Sequence, residues 1–388
     1  MAFGLRTPHT PSPAPLDADP MLWLRLIRSR RVGPATFHKL LRDYGRVYEA
    51  LAALPEIARA AGVENYVICP LAVVKQELAL GKAAGAQLSL WVQEGYPEQI
   101  MDLPDAPPIL WAQGDVRLLG RPKVAIVGAR NASSLGIRMA RQLARGLGEA
   151  EHVVVSGLAR GIDAEAHRAS LPLGTVAVQA GGVDVIYPLE NGDLAAQIAE
   201  TGCRISEQPM GLVPQARHFP QRNRIVSGIS KAVVVVEAAA RSGSLLTARN
   251  ALDQGREVLA VPGHPLDARA AGCNILLRDG AGLIRSTNDI LEAIGVRGHF
   301  LSVAREPEVE PIETVVELPG PVPMRRGLAD IAAVHSQILA RLGPSPLAED
   351  QLLRDLALPI GAAAAALVSL ELEGRISRQA GGLLSRID

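Results

Sequence analysis

The chain has 388 residues, with 40 Lys and Arg against 40 Asp and Glu, a formal net charge of zero and a pI near 7.1. That length leaves room for two or three domains. The 48% hydrophobic content supports a sizeable core, which must rest on Ala, Leu, Val and Ile because aromatics reach only 3%. A balanced charge excludes a broadly basic surface, so a nucleic-acid partner would need locally clustered cations.

Residues 1–19 read as a Pro-rich disordered tail without the apolar segment of a secretory signal. No run of about 18 apolar residues occurs, so no membrane span is expected. Cys69, Cys203 and Cys273 are far apart and odd in number. They fit reduced thiols in a cytoplasmic protein, with neither a disulfide framework nor metal spacing. No cofactor is expected.

Residues 20–90 carry a helical pattern broken by Gly and Pro, expected as a small SAM or helix–hairpin–helix-like domain. Within it, Val32-Gly33-Pro34 separates two helical stretches of LIRSRRVGPATFHKLLRDYG. The turn is either a packing device or a hairpin whose amides approach a DNA phosphate.

Residues 91–298 alternate apolar strands with helices. VAIVG (124–128), VVVSG (153–157), TVAVQAGG (175–182), AVVVVEA (232–238) and EVLAVPG (257–263) read as buried parallel strands. The alternation predicts an α/β, Rossmann-like doubly wound parallel sheet, with ligands beyond the carboxyl ends of its strands. Residues 299–328 hold Glu306, Glu308, Glu310, Glu313 and Glu317 among five prolines and read as an extended linker. Residues 329–388 predict a winged-helix-like domain: a helix near 332–342, another starting at Ser345-Pro346, an alanine-rich helix near 361–373, and two strands about Gly381-Gly382. The alanine-rich helix has no Lys or Arg, so packing or protein binding suits it better than DNA reading. The remaining cations, Arg375, Arg378 and Arg386, lie on the wing.

The motifs point to an anion. Gly128-Ala129-Arg130 follows the first of these strands, and Ser133-Ser134 lead into the next helix. Amides at that helix start, with Arg130, make an anion site. G-x-G-x-x-G is absent, which argues against dinucleotide chemistry. Gly157-Leu158-Ala159-Arg160-Gly161 repeats the device, Gly181-Gly182 and Asp184 follow the third strand, and Arg241-Ser242-Gly243-Ser244 opens a later helix. Four such turns with Arg130, Arg160 and Arg241 at one sheet edge suit a polyanion. The segment FPQRNRIVSGIS places Phe219, one of four phenylalanines, beside Arg222, Asn223 and Arg224, just after Arg217 and His218. A ring beside guanidinium groups can stack bases and pair phosphates of a single strand. A solvated loop is the other reading. His218 and Pro220 are expected to hold this segment extended. His167 fits a core or capping role. Asp163, Asp184 and Glu237 could do acid–base work or orient the arginines, but no nucleophile elbow accompanies them.

VAIVGAR, VVSGLARGIDAEAH, GGVDVIYPLEN, ISEQPMG, HFPQRNRIVSGIS, VVVVEAAARSGSLLTARNALDQGREVLAVPG and GCNILLRDGA occur in order. Together they resemble the DNA-processing protein DprA (Smf) family. The resemblance implies a non-enzymatic single-stranded DNA-binding protein of natural transformation, competence and DNA recombination. Such a protein protects incoming strands, loads the recombinase RecA and forms a homodimer through its Rossmann-like core. It implies a basic pocket at Arg130 and Arg160, a base-contacting ring at Phe219, and contacts from Arg222, Asn223 and Arg224. Arg217 stands near the place of a lysine found in some relatives. Ser134, Arg241, Ser242 and Ser244 complete the expected DNA site. The alternative from another class is a nucleotide phosphoribohydrolase-like enzyme, since Glu237 to Ser244 resembles a glycine-rich phosphate turn with a nearby glutamate. The tighter PGG-x-GT turn of those enzymes is absent.

Overall fold

Four helices open the described chain: Pro20–Ile27 (α1), Pro34–Tyr44 (α2), Val47–Ala60 (α3) and Leu71–Ala83 (α4). Asp19 starts α1 by accepting the Met21 amide at 2.9 Å, with Pro20 at the first position, where its missing N–H is harmless. This computed structural model describes residues 18–295 and, further on, 328–342, 347–348, 352, 366–367, 369–371, 373–379 and 383–386. Residues 1–17 of the expected tail, residues 299–327 of the expected linker, Ser345-Pro346 and Gly381-Gly382 lie outside the described residues.

The next elements are Gln87–Leu90 (β1), Glu98–Met101 (α5), Ile109–Gly114 (β2), Lys123–Gly128 (β3), Ser134–Glu149 (α6), Val153–Ser156 (β4) and Ile162–Ser170 (α7). Thr175–Val178 (β5), Gly192–Thr201 (α8), Cys203–Ser206 (β6), His218–Gly228 (α9) and Ala232–Val236 (β7) follow. Gly243–Asp253 (α10), Glu257–Ala260 (β8), Ala271–Arg278 (α11), Gly282–Leu283 (β9) and Thr287–Ala293 (α12) complete this part. The helical pattern read to about residue 90 therefore ends sooner, because β1 pairs with β2 in the sheet.

The strands form one sheet in the order β1-β2-β6-β5-β4-β3-β7-β8-β9. From β6 to β9 every pairing is parallel, while β1 and β2 add an antiparallel edge. The fold is thus α/β and Rossmann-like. Val124, Ile126, Val154, Val234 and Val236 face α6, α7 and α12 through Leu143, Leu147, Ile162 and Ile290. Alternate residues, among them Ala125, Val127, Val233 and Val235, face α9, α10 and α11 through Ile225, Val226, Ala248 and Cys273. Strands buried on both faces read as continuous apolar runs, which is why these were visible in the sequence.

The helices α1 to α4 pack on the β1–β2 edge through Trp23, Phe37, Leu90, Ile109 and Trp111. Glu77, buried on α4, fixes that junction: Arg28 meets its two oxygens at 3.0 and 2.8 Å, and Trp111 Nε1 donates to it at 2.8 Å. A buried carboxylate is tolerable only when paired and bonded in this way.

The chain divides into two compact units, Met1–Val303 and Ala304–Asp388. In the second, Leu328–Arg341 (α13) precedes Leu347–Ala348 (β10), Ile376–Gln379 (β11) and Leu383–Arg386 (β12). These strands form a sheet in the order β10-β12-β11. The expected hairpin is β11–β12, antiparallel, while β10 is an additional strand beside it. Ile338, Leu339, Leu367, Leu370, Ile376 and Leu384 make its core.

His167 on α7 is fully buried. The Thr175 hydroxyl donates to the Val154 carbonyl at 3.0 Å, so His167 Nδ1 donates to Thr175 Oγ1 at 2.7 Å. Burial first, then Arg222 and Arg168, hold this imidazole at about 3, far below its ordinary 6.5. The folded pKa is depressed, so its contribution is present above pH 6.5 and withdrawn as pH falls, when the unfolded chain takes up the proton. The unfolding free energy of His167→Gln should therefore fall less steeply than the parent's below pH 6.5. The difference in slope should approach about 1.4 kcal/mol per pH unit at most. Chemical denaturation at stepped pH measures it, and identical slopes would refute the buried neutral ring.

Candidate nucleic-acid interface

The chain leaves the adjacent strands β3 and β7 toward opposite faces of the sheet, to α6 after β3 and to α10 after β7. A crevice opens where such connections diverge. Here it is a cleft of about 500 Å³ lined by Gly128 to Asn131, Asp163, residues of α9, and Arg241 to Ser244.

The segment FPQRNRIVSGIS is helical, not extended. His218, Phe219 and Pro220 form the first turn of α9, where a proline N–H would have no partner within the helix, so Pro220 does not break it. The helical period sorts the segment: Phe219, Arg222, Asn223 and Val226 share the face toward the cleft. Arg224 leaves on another side, pairs with Glu207 and Asp105, and donates to the Asp105 carbonyl at 2.6 Å. It anchors α9 and does not line the cleft.

The Phe219 ring is the centre of the site. The Arg130 guanidinium lies 5.5 Å from its centroid and that of Arg222 6.0 Å. Tyr187, 46% exposed, sets a second ring 5.8 Å away at 55°. Arg130 is exposed on the loop after β3, whereas Arg222 is buried. Beneath it lies Asp163, 4.0 Å from Nη1, which also accepts the Gly157 and Ala159 amides at 3.1 and 3.4 Å. Burial pushes the Asp163 carboxyl up and the Arg222 guanidinium down, and their mutual attraction opposes both shifts. Arg222 Nε has no hydrogen-bond partner among the described residues. A buried donor of that kind beside an open cleft is suited to an incoming acceptor.

On the opposite wall Ser242 caps α10, accepting the Ser244 amide at 3.3 Å, and its hydroxyl lies 2.7 Å from that of Ser244. Asn223 donates to the Gly243 carbonyl at 3.4 Å. Arg241 and Arg269 add cations, the latter paired with Asp267 at 3.0 Å. Glu237, at φ 56°, turns away from this wall. Its carboxylate accepts the Ser133 amide at 2.9 Å and the Ser133 hydroxyl, and the missing side chain of Gly136 leaves room for it. The start of α6 is therefore closed by a carboxylate of the chain itself.

Comparison with known proteins agrees with this architecture. The family model of DNA recombination-mediator protein A matches residues 87–295, that of the DprA-like N-terminal HHH domain residues 17–79, and that of the DprA winged helix domain residues 322–382. Protein Smf of Synechocystis is 36% identical over 94% of this chain and 98% of its own. The DNA processing protein DprA of Bacillus subtilis is 40% identical over 62% and 82%. This chain belongs to the DNA recombination-mediator protein A (DprA/Smf) family. The X-ray structure of DNA processing protein A from Streptococcus pneumoniae superimposes with a TM-score of 0.53 at 33% identity, covering 68% of this chain and 98% of that one. The Helicobacter pylori protein, whose structure addresses its single-stranded DNA binding mode, does so with a TM-score of 0.50 at 31% identity, covering 54% and 97%. The second unit accordingly holds the winged-helix domain, and α1 to α3 with the first part of α4 belong to the HHH domain.

In this DprA-family cleft the fold gathers Arg130, Phe219, Arg222, Asn223, Arg241, Ser242 and Ser244. Arg160 does not line it and pairs with Glu190 at 2.9 Å. Arg217 lies outside, its Nε 3.2 Å from His218 Nε2, and Ser134 sits exposed on the first turn of α6. Sequence reasoning left out Tyr187 and Arg269. Tyr187 stands in the quoted GGVDVIYPLEN run, so its aromatic side chain was a usable signal. Arg269 follows no strand directly and gave none. Among the described residues no group of three His, Cys, Asp or Glu could hold a metal, and no helix is long and apolar enough to cross a membrane.

A side chain at Gly157 would fall on the Arg222 guanidinium. Gly157→Ala should displace Arg222 from Asp163 and destabilise the core by about 1–3 kcal/mol. Urea denaturation measures this, and an unchanged midpoint would show that Arg222 has another seat.

Proposed function

We propose that the cleft holds single-stranded DNA and that the protein acts on it without turnover, as a mediator of DNA recombination in natural transformation. The observation that carries this reading is Phe219 with two guanidinium groups about its ring and Tyr187 beside it. Bases of any sequence can stack on such rings, and the cations and the α10 amides suit the phosphates between them. The names of relatives, DNA processing protein DprA, and the single-stranded DNA binding mode addressed in the Helicobacter structure support the same reading. In this proposal the protein is a cytoplasmic homodimer, paired through its Rossmann-like core, that protects strands and loads RecA onto them. A phosphoribohydrolase would need the Glu237 carboxylate turned to the cleft, and that carboxylate is engaged by Ser133.

Fluorescence anisotropy with a labelled oligo-dT and a blunt duplex of equal length tests the reading. The single strand should bind more tightly, with little dependence on sequence. Phe219→Ala should lose about 1–3 kcal/mol per stacked base while keeping the parent's circular-dichroism spectrum. Equal affinity for the two DNAs, or an alanine variant that binds as the parent does, would overturn it.

A further inference from the structure

Two further grooves lie beside the cleft. Beyond it a groove of about 380 Å³ runs past the start of α6, touching Ser133, Leu135, Arg138 and Gln142. A further groove of about 710 Å³ shares Arg138 and Gln142 and continues past Arg141 and Arg145 to Thr287 and Asn288 of α12. Asp267 borders the first groove and Arg269, two residues on, borders the main cleft, so the two grooves on α6 adjoin the cleft across that loop.

The cations on this path are not equivalent. Arg141 is paired with Glu165 at 2.6 Å, and Arg168 shares that carboxylate. Arg138 and Arg145 are exposed, and neither is in an ion pair among the described residues. Seven residues apart, they lie on one line of the helix, about 10 Å from each other along its axis. Leu143, Ala144 and Leu147 on the opposite face are buried against the sheet, so the arginines have no packing duty there. The acids facing the path are Asp267 on the first groove, paired with Arg269, Glu165, neutralised by two arginines, and Glu149 at its far end. Glu237 at its near end is turned into Ser133.

We propose that the outer face of α6 is a second segment of the binding surface, which takes the sugar-phosphate backbone of the strand as it leaves the cleft. Arg138 and Arg145 hold successive stretches of phosphate, and Glu149 marks the end of the track. The proposal rests on the reading of the cleft as a single-strand site. Nucleotides within the cleft meet the Phe219 ring, whereas the far groove of the track offers Arg138, Arg145 and the Gln142 and Asn288 amides, with Leu135, Met139 and His264 lining its near groove. The track therefore adds affinity that is salt-dependent and indifferent to base identity.

The test compares a short oligo-dT of about 6 nucleotides with one of about 20, spanning the range of single-strand site sizes. The variants are Arg138→Ala/Arg145→Ala, Arg138→Lys/Arg145→Lys, Arg130→Ala and Phe219→Ala in the full chain. The double alanine variant should bind the long strand about three- to tenfold more weakly and leave the short one unchanged. Its salt slope on the long strand should fall by about 1.4, from two lost phosphate contacts at about 0.7 each. The lysine pair should restore most of the loss. Equal loss on both lengths, or no loss on either while Arg130→Ala and Phe219→Ala weaken the short strand, overturns the track and leaves the cleft standing. If Arg130→Ala and Phe219→Ala leave both lengths unaffected, the cleft reading fails and the track fails with it.

Discussion

A buried ion pair holds the site together. Asp163 stands on α7, on one face of the sheet, and Arg222 on α9, on the other. They meet over the end of β4 because Gly157 has no side chain in the way. Removing both charges from water costs several kcal/mol per ion, and attraction across 4.0 Å does not by itself cover that loss. Two backbone amides bind the Asp163 carboxylate and lower the deficit. Arg222 Nε has no hydrogen-bond partner among the described residues. The pair is therefore a poor device for stability and a good one for position: it fixes a cation at the floor of the cleft.

That fixed cation organises the exposed part of the site. Phe219 lies one helical turn before Arg222, so its ring rests beside the buried guanidinium and leaves its remaining surface to the cleft. Arg130, from the loop after β3, approaches the same ring. Cations beside an aromatic ring gain from its quadrupole, and the gain grows where water is partly excluded. The chain has no net charge, yet this corner holds Arg130, Arg222, Arg241 and Arg269 against Asp163 and Asp267. A concave wall focuses such a local excess, which is what a neutral protein needs to attract a polyanion.

The parts legible in the sequence were those with one dominant physical signal. The strands β3, β4, β5, β7 and β8 are short apolar runs buried on both faces, and no other element type suits them as well. Strand β6, CRIS, hid behind a buried arginine, and β9 has two residues, too few for any pattern. The segment from Phe219 to Arg224 was recognised by its chemistry and misread in its geometry, because His218 and Pro220 suggested extended backbone. Proline is harmless in a first helical turn, and once α9 is a helix Arg222 and Arg224 must diverge by about 200°. No composition argument separates two arginines two residues apart. Arg160 was likewise placed by its glycine-rich turn, but its neighbour Glu190 comes from a segment thirty residues later.

The same reasoning bears on the turn at Val32-Gly33-Pro34. As a free hairpin it would offer amides to a phosphate. In the fold it lines a cleft of about 760 Å³ between the α1–α2 turn and the helices α9 and α10, together with Asp105, Glu207 and Asp253. Arg28 in that wall is committed to Glu77 and to the Glu207 carbonyl, and Arg224 to Asp105 and Glu207. Burial pushes the Glu207 carboxyl up, and the adjacent Arg224 draws it back toward the charged form. A phosphate entering here would face three carboxyl groups and two guanidinium groups already engaged, so the local field opposes it. The turn serves instead to seat α2 against the core, and the ion pairs behind it hold α9 from the rear. The placing of Phe219 in the main cleft thus depends on a junction whose own field opposes an anion.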